Sequence, residues 1–556
     1  MRRDTAALAN KDFDVIVVGA GIYGAAVAWD AVCRGLRVAL IDKGDFGGRT
    51  SSNSLKIMHG GLRYLQQLDF KRMRESVRER MISMRIAPHL VHPLGCVMPT
   101  YGHLMKGKEV MFVGLLMNDI ISLDRNQLED PEKTIPMGGV ISRDECLRLI
   151  PGIDANRITG GAFWTDAQVY NTERYILSFI LSAVERGTVA ANYVGAERLL
   201  LRKGRVEGVK AVDMLTGDRW DIRSRMVINT CGGWVDDLLQ EVNKGSSRVN
   251  LSTAMNLVIN RKLLPECAAG IVAKFEHKRS DGSVYQGTRV LFMTPWRNVT
   301  LVGTYHLPFN NTPDTLCVTE GEIQTFLKEV NTAFKEDPVH RKDISFFYKG
   351  FLPYDGVNEK TGEVILAKHY SMHDHLMEEG LDGIITVVGV KFTTARDVAE
   401  RAVDLVFKKL GKKSPPCATR STTLFGGEIE RFDDFLADVS DRSSVVSPDV
   451  IRHLVFNYGS KYTCIVEYGK ENADLYKLVH GSSEVIKAEV VHGIREEMAL
   501  KLTDIILRRT ELGSAGNPGD QALKTCAEIM ADELGWDNKR IQEEIVEAKL
   551  IYKPDN

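Results

Sequence analysis

The chain has 556 residues, enough for two or three domains, and its 44% hydrophobic and 26% charged residues match ordinary globular protein. A net charge of −2 gives no overall attraction to nucleic acid or to an anionic membrane. The nine cysteines are scattered, odd in number and without a C-x-x-C pair, which argues for free thiols in a reducing compartment such as the cytoplasm and against a disulfide frame or a zinc site.

The first ten residues carry basic side chains but no sustained apolar core, a poor match to a signal peptide. From Asp12 to Asp42 the sequence organises the rest of the chain. Val15 to Val18 is a short β-branched run suited to a strand buried on both faces. Gly19, Gly21 and Gly24 follow at G-x-G-x-x-G spacing, then a small apolar helix to Cys33, then a second buried strand, Val38 to Ile41, ended by Asp42. In such a unit the first glycine makes the tight turn, the second admits a pyrophosphate, and the third lets helix pack on strand. The acid at the strand end accepts from ribose hydroxyls. The alternative is a tight strand-to-helix turn with no ligand.

The stretch from Lys43 to Leu65 is rich in hydroxyls and glycine and reads as a loop approaching a polar ligand, with Thr50, Ser51 and Ser52 able to donate to phosphate and ribose. Phe70 to Ile86 reads as an amphipathic helix whose charges form a solvated face. Val110 to Ile121 is too short to span a bilayer; it lies on a membrane surface or forms a buried helix, and the buried helix is the expected reading. Ser142 to Leu149 carries a capping-box pattern before a short helix, and Asn171 to Arg186 a longer one. Val206 to Val212 and Ile222 to Ile228 read as strands around a Thr216-Gly217-Asp218 turn, the second leading into Asn229-Thr230-Cys231-Gly232-Gly233-Trp234. Strands are expected from 250 to 296 and a helix from Glu320 to Phe334. His373 and His375 form an H-x-H pair with no third ligand in view, so no metal site is expected. Ile384 to Val388 is a buried strand leading through Gly389 into a helix that runs to about Lys409. Past the linker 411–416, residues from about 447 to 550 read as helix after helix.

The glycine fingerprint, Thr50-Ser51-Ser52 and the block Lys56-Ile57-Met58-His59-Gly60-Gly61-Leu62-Arg63-Tyr64-Leu65 together resemble the FAD-dependent glycerol-3-phosphate dehydrogenase and oxidase family. Further matches are Gly160 to Ala167, Asn229 to Trp234 with Cys231 for a usual Thr, Gly389 to Arg396, Tyr458-Gly459-Ser460, and Leu507 to Gly513, so the resemblance spans nearly the whole chain. It implies an α/β protein: a Rossmann-like FAD-binding domain (10–100, 155–250 and 376–410), a β-rich substrate or cap domain (101–154 and 251–375), and a C-terminal all-helical domain (420–556). It implies oxidation of a phosphorylated polyol, glycerol 3-phosphate, by hydride transfer to FAD. Electrons then pass to a quinone or another acceptor. Peripheral contact with the cytoplasmic side of a membrane and a homodimer are compatible with it. An NAD enzyme is disfavoured, because the matches after the fingerprint are to FAD proteins.

By the same resemblance, the cofactor is held by Gly19, Gly21, Ile22, Gly24, Asp42, Lys43, Thr50, Ser51, Ser52, Met58, His59, Cys231, Gly232, Gly389, Lys391 and Phe392. His59, Arg63, Tyr64 and Lys391 are the expected catalytic group, and Arg63, Tyr64, Lys368, Lys391 and Arg396 the expected substrate contacts. His59 is either the base for the hydroxyl proton or a hydrogen-bond donor to cofactor or backbone. Two departures concern the substrate. Leu352 stands where the family has an Arg that helps hold the phosphate, and Lys368 replaces another Arg, keeping the charge but losing the fork. Either other cations compensate, or the substrate is another polyol phosphate, or it is an unphosphorylated hydroxy acid or polyol. A flavin-binding protein with little turnover is the reading outside the enzyme class.

Overall fold

The strand Phe13–Val18 is buried along its whole length and sits inside a mostly parallel sheet. Its neighbours run in the order Ser371–Asp374, Ile384–Val388, Arg219–Asn229, Phe13–Val18, Val38–Ile41 and Val189–Ala191. Only Ser371–Asp374 is antiparallel on this path. Both neighbours of the first strand enter in parallel, Val15 beside Val38 and Val17 beside Ile228, which explains why these strands read as continuous apolar runs: each is covered on both faces. Helix Ile22–Cys33 lies on one face with Thr172–Glu185 and Ala395–Lys409, and its Ala25, Ala26 and Ala28 are fully buried there. The structure, a computed structural model, describes every residue except 63, 65–67, 103–106, 241–248, 280, 443–444, 556 and the side chain of 378.

A second, mostly antiparallel sheet carries the long strands Leu251–Ile259, Ala268–Lys278, Val284–Trp296, Val299–Phe309 and Ile344–Val357. Helix Glu320–Asn331 covers it with Ile323, Phe326, Leu327 and Val330, and opens on a capping box between Thr319 and Glu322. Strands Val91–Tyr101 and Ile158–Val169, expected from sequence inside the nucleotide-binding segments, pair with each other and join this second sheet. Their partners lie far off in sequence, which a local hydrophobic pattern does not reveal.

Two other expectations change. Helix Phe70–Ile86 presents only part of its charge to water: Lys71 is exposed, but Arg72, Glu79 and Arg80 are buried, and Glu79 and Arg80 are paired with Arg396 and Asp166. Helix Lys108–Ile121 is not buried. Leu115 and Asp119 are buried and Met111 packs beside them, while Phe112 is 50% and Ile120 58% exposed.

The C-terminal helices, from Phe432–Arg442 to Asn538–Leu550, enclose their own core around Leu502, Ile505, Leu523, Cys526 and Met530. Buried ion pairs tie them to the nucleotide-binding sheet. Arg174 meets Glu497 at 2.6 Å, and Asp45, just past the second strand, accepts from Arg509 at 2.7 Å on each oxygen and also from Arg508.

Candidate active site

Gly19 turns the chain with φ +96°, a left-handed conformation open to glycine, and a side chain there would press into the Thr230 backbone. Gly24 packs so closely that a Cβ would overlap the Gly19 carbonyl. Gly21 caps helix Ile22–Cys33, and its first amide, on Ile22, donates to Ser51 Oγ at 3.0 Å. Thr50 Oγ1 likewise accepts from the Phe351 amide at 2.9 Å. A hydroxyl that accepts an amide hydrogen keeps its own O–H to donate, so both hydroxyls are fixed in place with a donor to spare. Asp42 accepts from the amides of Ala20 at 2.6 Å and Gly44 at 2.8 Å, one on each oxygen. Burial pushes its pKa up to about 6, against the two amide bonds that lower it.

These groups line a cavity of about 360 Å³. Of the residues expected from sequence it brings together Gly19, Gly21, Ile22, Asp42, Lys43, Thr50, Ser51, Cys231, Gly232, Gly389, Lys391 and Phe392. Leu352 also lines it. At one end Trp234 donates to Asp314 at 2.8 Å, and Lys43 reaches the same carboxylate at 3.1 Å. Lys43 and Arg49 lie 4.9 and 5.2 Å from the Trp234 ring, so the cap loop and the nucleotide sheet meet on one indole.

A second cluster adjoins the Lys391 end. The Lys391 ammonium is 4.1 Å and the Arg72 guanidinium 4.2 Å from the Tyr64 ring, and the His59 ring meets that ring edge-on at 5.8 Å. Burial and the charge on Arg72 push Lys391 down to about 8. Burial first, then the cations Lys391, Arg80 and Arg72, push His59 down to about 4 despite the opposing Asp166. Asp166 is itself fixed by Arg80 at 2.6 Å, Trp164 Nε1 at 2.9 Å and the Gly60 amide. His59 therefore stays neutral near pH 7 and offers a nitrogen lone pair.

A family profile for FAD-dependent oxidoreductases matches residues 14–390. The chain belongs to the FAD-dependent oxidoreductase family. A profile for the C-terminal domain of alpha-glycerophosphate oxidase matches residues 417–541. A glycerol-3-phosphate dehydrogenase of Synechocystis sp. is 32% identical, over 96% of this chain and 95% of its own length, which places the chain in the glycerol-3-phosphate dehydrogenase family. The mitochondrial glycerol-3-phosphate dehydrogenase of Homo sapiens is 29% identical over 98% of this chain and 74% of its own. The fold matches the FAD-complexed glycerol-3-phosphate dehydrogenase structure from Bacillus halodurans with a TM-score of 0.75, covering 99% of this chain and 97% of that one at 24% identity.

The oxidoreductase's cavity fits FAD on its own terms: a helix N-terminus at a glycine cradle, a carboxylate at the strand end, and an indole at the far wall. Several expected contacts lie elsewhere. Gly24 is buried in the helix and serves its packing. Met58 is buried in the core, and Ser52 Oγ donates to the Arg49 carbonyl at 2.7 Å. Lys368 is exposed and outside the cavity lining. Arg396 is 4% exposed and bound to Glu79 at 2.7 Å and Glu400 at 2.9 Å, so it fastens helix Ala395–Lys409 to Phe70–Ile86 instead of reaching a substrate. Arg63 lies outside the described residues.

Sequence reasoning missed Tyr23 and Arg72. Tyr23 stands inside the fingerprint, where an aromatic reads as core. Arg72 sits in the first turn of its helix, where a cation opposes the helix dipole, and that misfit was the available signal.

Proposed function

We propose that this oxidoreductase converts the secondary alcohol of sn-glycerol 3-phosphate to dihydroxyacetone phosphate. The observation that carries this reading is Lys391, which lines the dinucleotide cavity and also holds its ammonium over Tyr64 in the adjoining cationic cluster. One residue thus joins the place of the cofactor to a site for an anion. When bound, FAD supplies the hydride acceptor.

The protein's own groups do the rest. His59, neutral because of burial and three nearby cations, accepts the proton of the reacting hydroxyl. Lys391 and the Tyr64 ring position the phosphate end, and Asp166 holds Gly60 so that the His59 loop keeps its approach. Anaerobic mixing of the yellow holoenzyme with glycerol 3-phosphate tests this directly. Bleaching of the flavin absorbance is expected; a flavin that dithionite reduces but glycerol 3-phosphate does not would overturn the reading.

The electrons leave to a quinone or another acceptor, and the exposed apolar side of Lys108–Ile121 is the contact with the lipid surface. Val110, Phe112, Val113, Leu116, Met117 and Ile120 are all exposed along this one helix. Among the described residues no helix is long and apolar enough to cross a membrane, so this helix lies along the interface. Wild type should co-sediment with phosphatidylcholine vesicles. A Phe112→Glu/Ile120→Glu variant should stay in the supernatant while its flavin is still reduced by glycerol 3-phosphate. Equal sedimentation of the two would sink the membrane contact.

A further inference from the structure

Leu352 leaves the cavity wall without the cation that the family resemblance assigns there. Lys391 beside Tyr64 brings one positive charge toward a dianionic phosphate, and a second cation next to it would complete the neutralisation. The fold supplies it from helix Phe70–Ile86. Arg72 is 7% exposed, its Nε has no hydrogen-bond partner among the described residues, and its ion pair with Asp69 is long at 3.5 Å. A buried guanidinium this poorly satisfied is costly unless a ligand completes its bonds.

Three further features point the same way. Arg72 occupies the first turn of a 17-residue helix, where a cation opposes the dipole and an anion is welcome. Its guanidinium stacks on Tyr64 at 4.2 Å, on the same ring that carries Lys391 at 4.1 Å. Two cations drawn onto one buried ring repel each other, as the lowering of Lys391 by Arg72 shows, and an anion bound beside them would relieve that repulsion. The planar fork of Arg72 also suits bidentate capture of phosphate, which an ammonium does not offer.

We propose that Arg72 is a phosphate-binding and specificity-determining residue, supplying from helix Phe70–Ile86 the positive charge that Leu352 cannot supply from the strand Ile344–Val357. The inference rests on reading the substrate as a phosphorylated polyol. It differs from a packing role for Arg72, because it predicts an effect on phosphate itself.

The test uses holoenzyme and two probes: inorganic phosphate by titration calorimetry, and glycerol 3-phosphate by anaerobic flavin reduction. Arg72→Leu should weaken phosphate binding and raise the half-saturating glycerol 3-phosphate concentration by roughly tenfold to a hundredfold, the usual effect of losing a charged hydrogen-bond partner. The limiting reduction rate should stay within about threefold, since uniform binding is what is lost. Arg72→Met keeps a straight stem on Tyr64 and should behave alike, which covers the case that the Leu variant folds poorly. Adding Leu352→Arg to Arg72→Leu should restore most of the lost affinity.

A yellow Arg72→Met protein that binds both probes within twofold of wild type would overturn the assignment. Failure of Leu352→Arg to restore affinity would overturn the compensation between the two positions. If wild type is not reduced by glycerol 3-phosphate yet phosphate binding still depends on Arg72, the substrate reading falls and the anion site stands.

Discussion

The hydroxyl of Tyr23 donates to the Lys391 carbonyl at 2.7 Å and accepts from the Lys391 amide at 3.2 Å, across 368 residues of sequence. One phenol thereby fixes the loop that carries Lys391 to the helix that begins the dinucleotide site. Burial pushes its pKa up to about 12, so it remains a neutral donor and acceptor throughout the working range. Tyr23→Phe removes both bonds, each contributing roughly 0.5–1.5 kcal/mol net. Steady-state kinetics should show the KM for glycerol 3-phosphate raised several-fold with kcat little changed and FAD retained. Gly389→Ala is harsher, because a Cβ there overlaps the Tyr23 ring, and the purified variant should carry far less flavin per chain.

Lys391 gives a pH signature. Its ammonium is pushed down to about 8 by burial and by Arg72, and kcat/KM reports the free enzyme. As pH rises through about 8 the charge is lost, and kcat/KM for glycerol 3-phosphate should fall. In Lys391→Arg the guanidinium stays charged, so the fall should move beyond the accessible range whatever the absolute rate. An unchanged alkaline limb in that variant would remove Lys391 from the profile.

His59 gives the complementary limb. With its pKa pushed down to about 4, it stays an acceptor at pH values where an ordinary imidazole is half protonated. The acid limb of kcat/KM contributed by His59 should therefore lie well below pH 6. His59→Asn should lower kcat by roughly a hundredfold to ten-thousandfold with flavin retained, the typical contribution of a general base. A loss of FAD with normal turnover in the remaining holoenzyme would instead make His59 a cofactor contact.

Asp45 joins the nucleotide loop to the C-terminal helices through Arg508 and Arg509 and also accepts from Asn192 at 2.8 Å. Asp45→Asn leaves the buried Arg509 guanidinium without its carboxylate partner and Arg508 with Asp504 alone, a loss of about 3–5 kcal/mol for a broken buried pair. Thermal unfolding should begin at lower temperature, and FAD should be released earlier in the melt than in wild type. Equal melting curves would show that the helical region is not coupled to the cofactor loop through this carboxylate.

His453 lies buried among Glu489 at 2.9 Å, Glu511 at 3.6 Å and Glu484 at 3.7 Å, with Arg297 on the far side of Glu511 and Asn457 at its Nδ1. The carboxylates overcome burial and hold its pKa well above the usual value. A raised folded-state pKa means that the stabilisation is complete below the unfolded value of about 6.5 and is lost as pH rises through the folded one. The Tm gap between wild type and His453→Gln should therefore be widest near pH 6 and narrow toward pH 9. A gap that widens with pH would contradict a protonated His453.

The sequence by itself determined what depends on near neighbours. Gly19, Gly21 and Gly24 are dictated by one turn and one close packing, the buried parallel strands by unbroken apolar runs, and the Ser142 cap by a bond to the Glu145 amide three residues on. Only the tertiary structure decided the roles of the charges. Arg396 and Arg72 look alike in sequence, yet Arg396 is saturated by Glu79 from 317 residues away, while Arg72 is left poorly paired beside Tyr64 and Lys391. The side of Lys108–Ile121 that meets solvent and the strand partners of Val91–Tyr101 were likewise settled by distant segments. The physical reason is range: backbone conformation and apolar periodicity act within a few residues, whereas a buried charge takes its meaning from the partner that the fold brings to it.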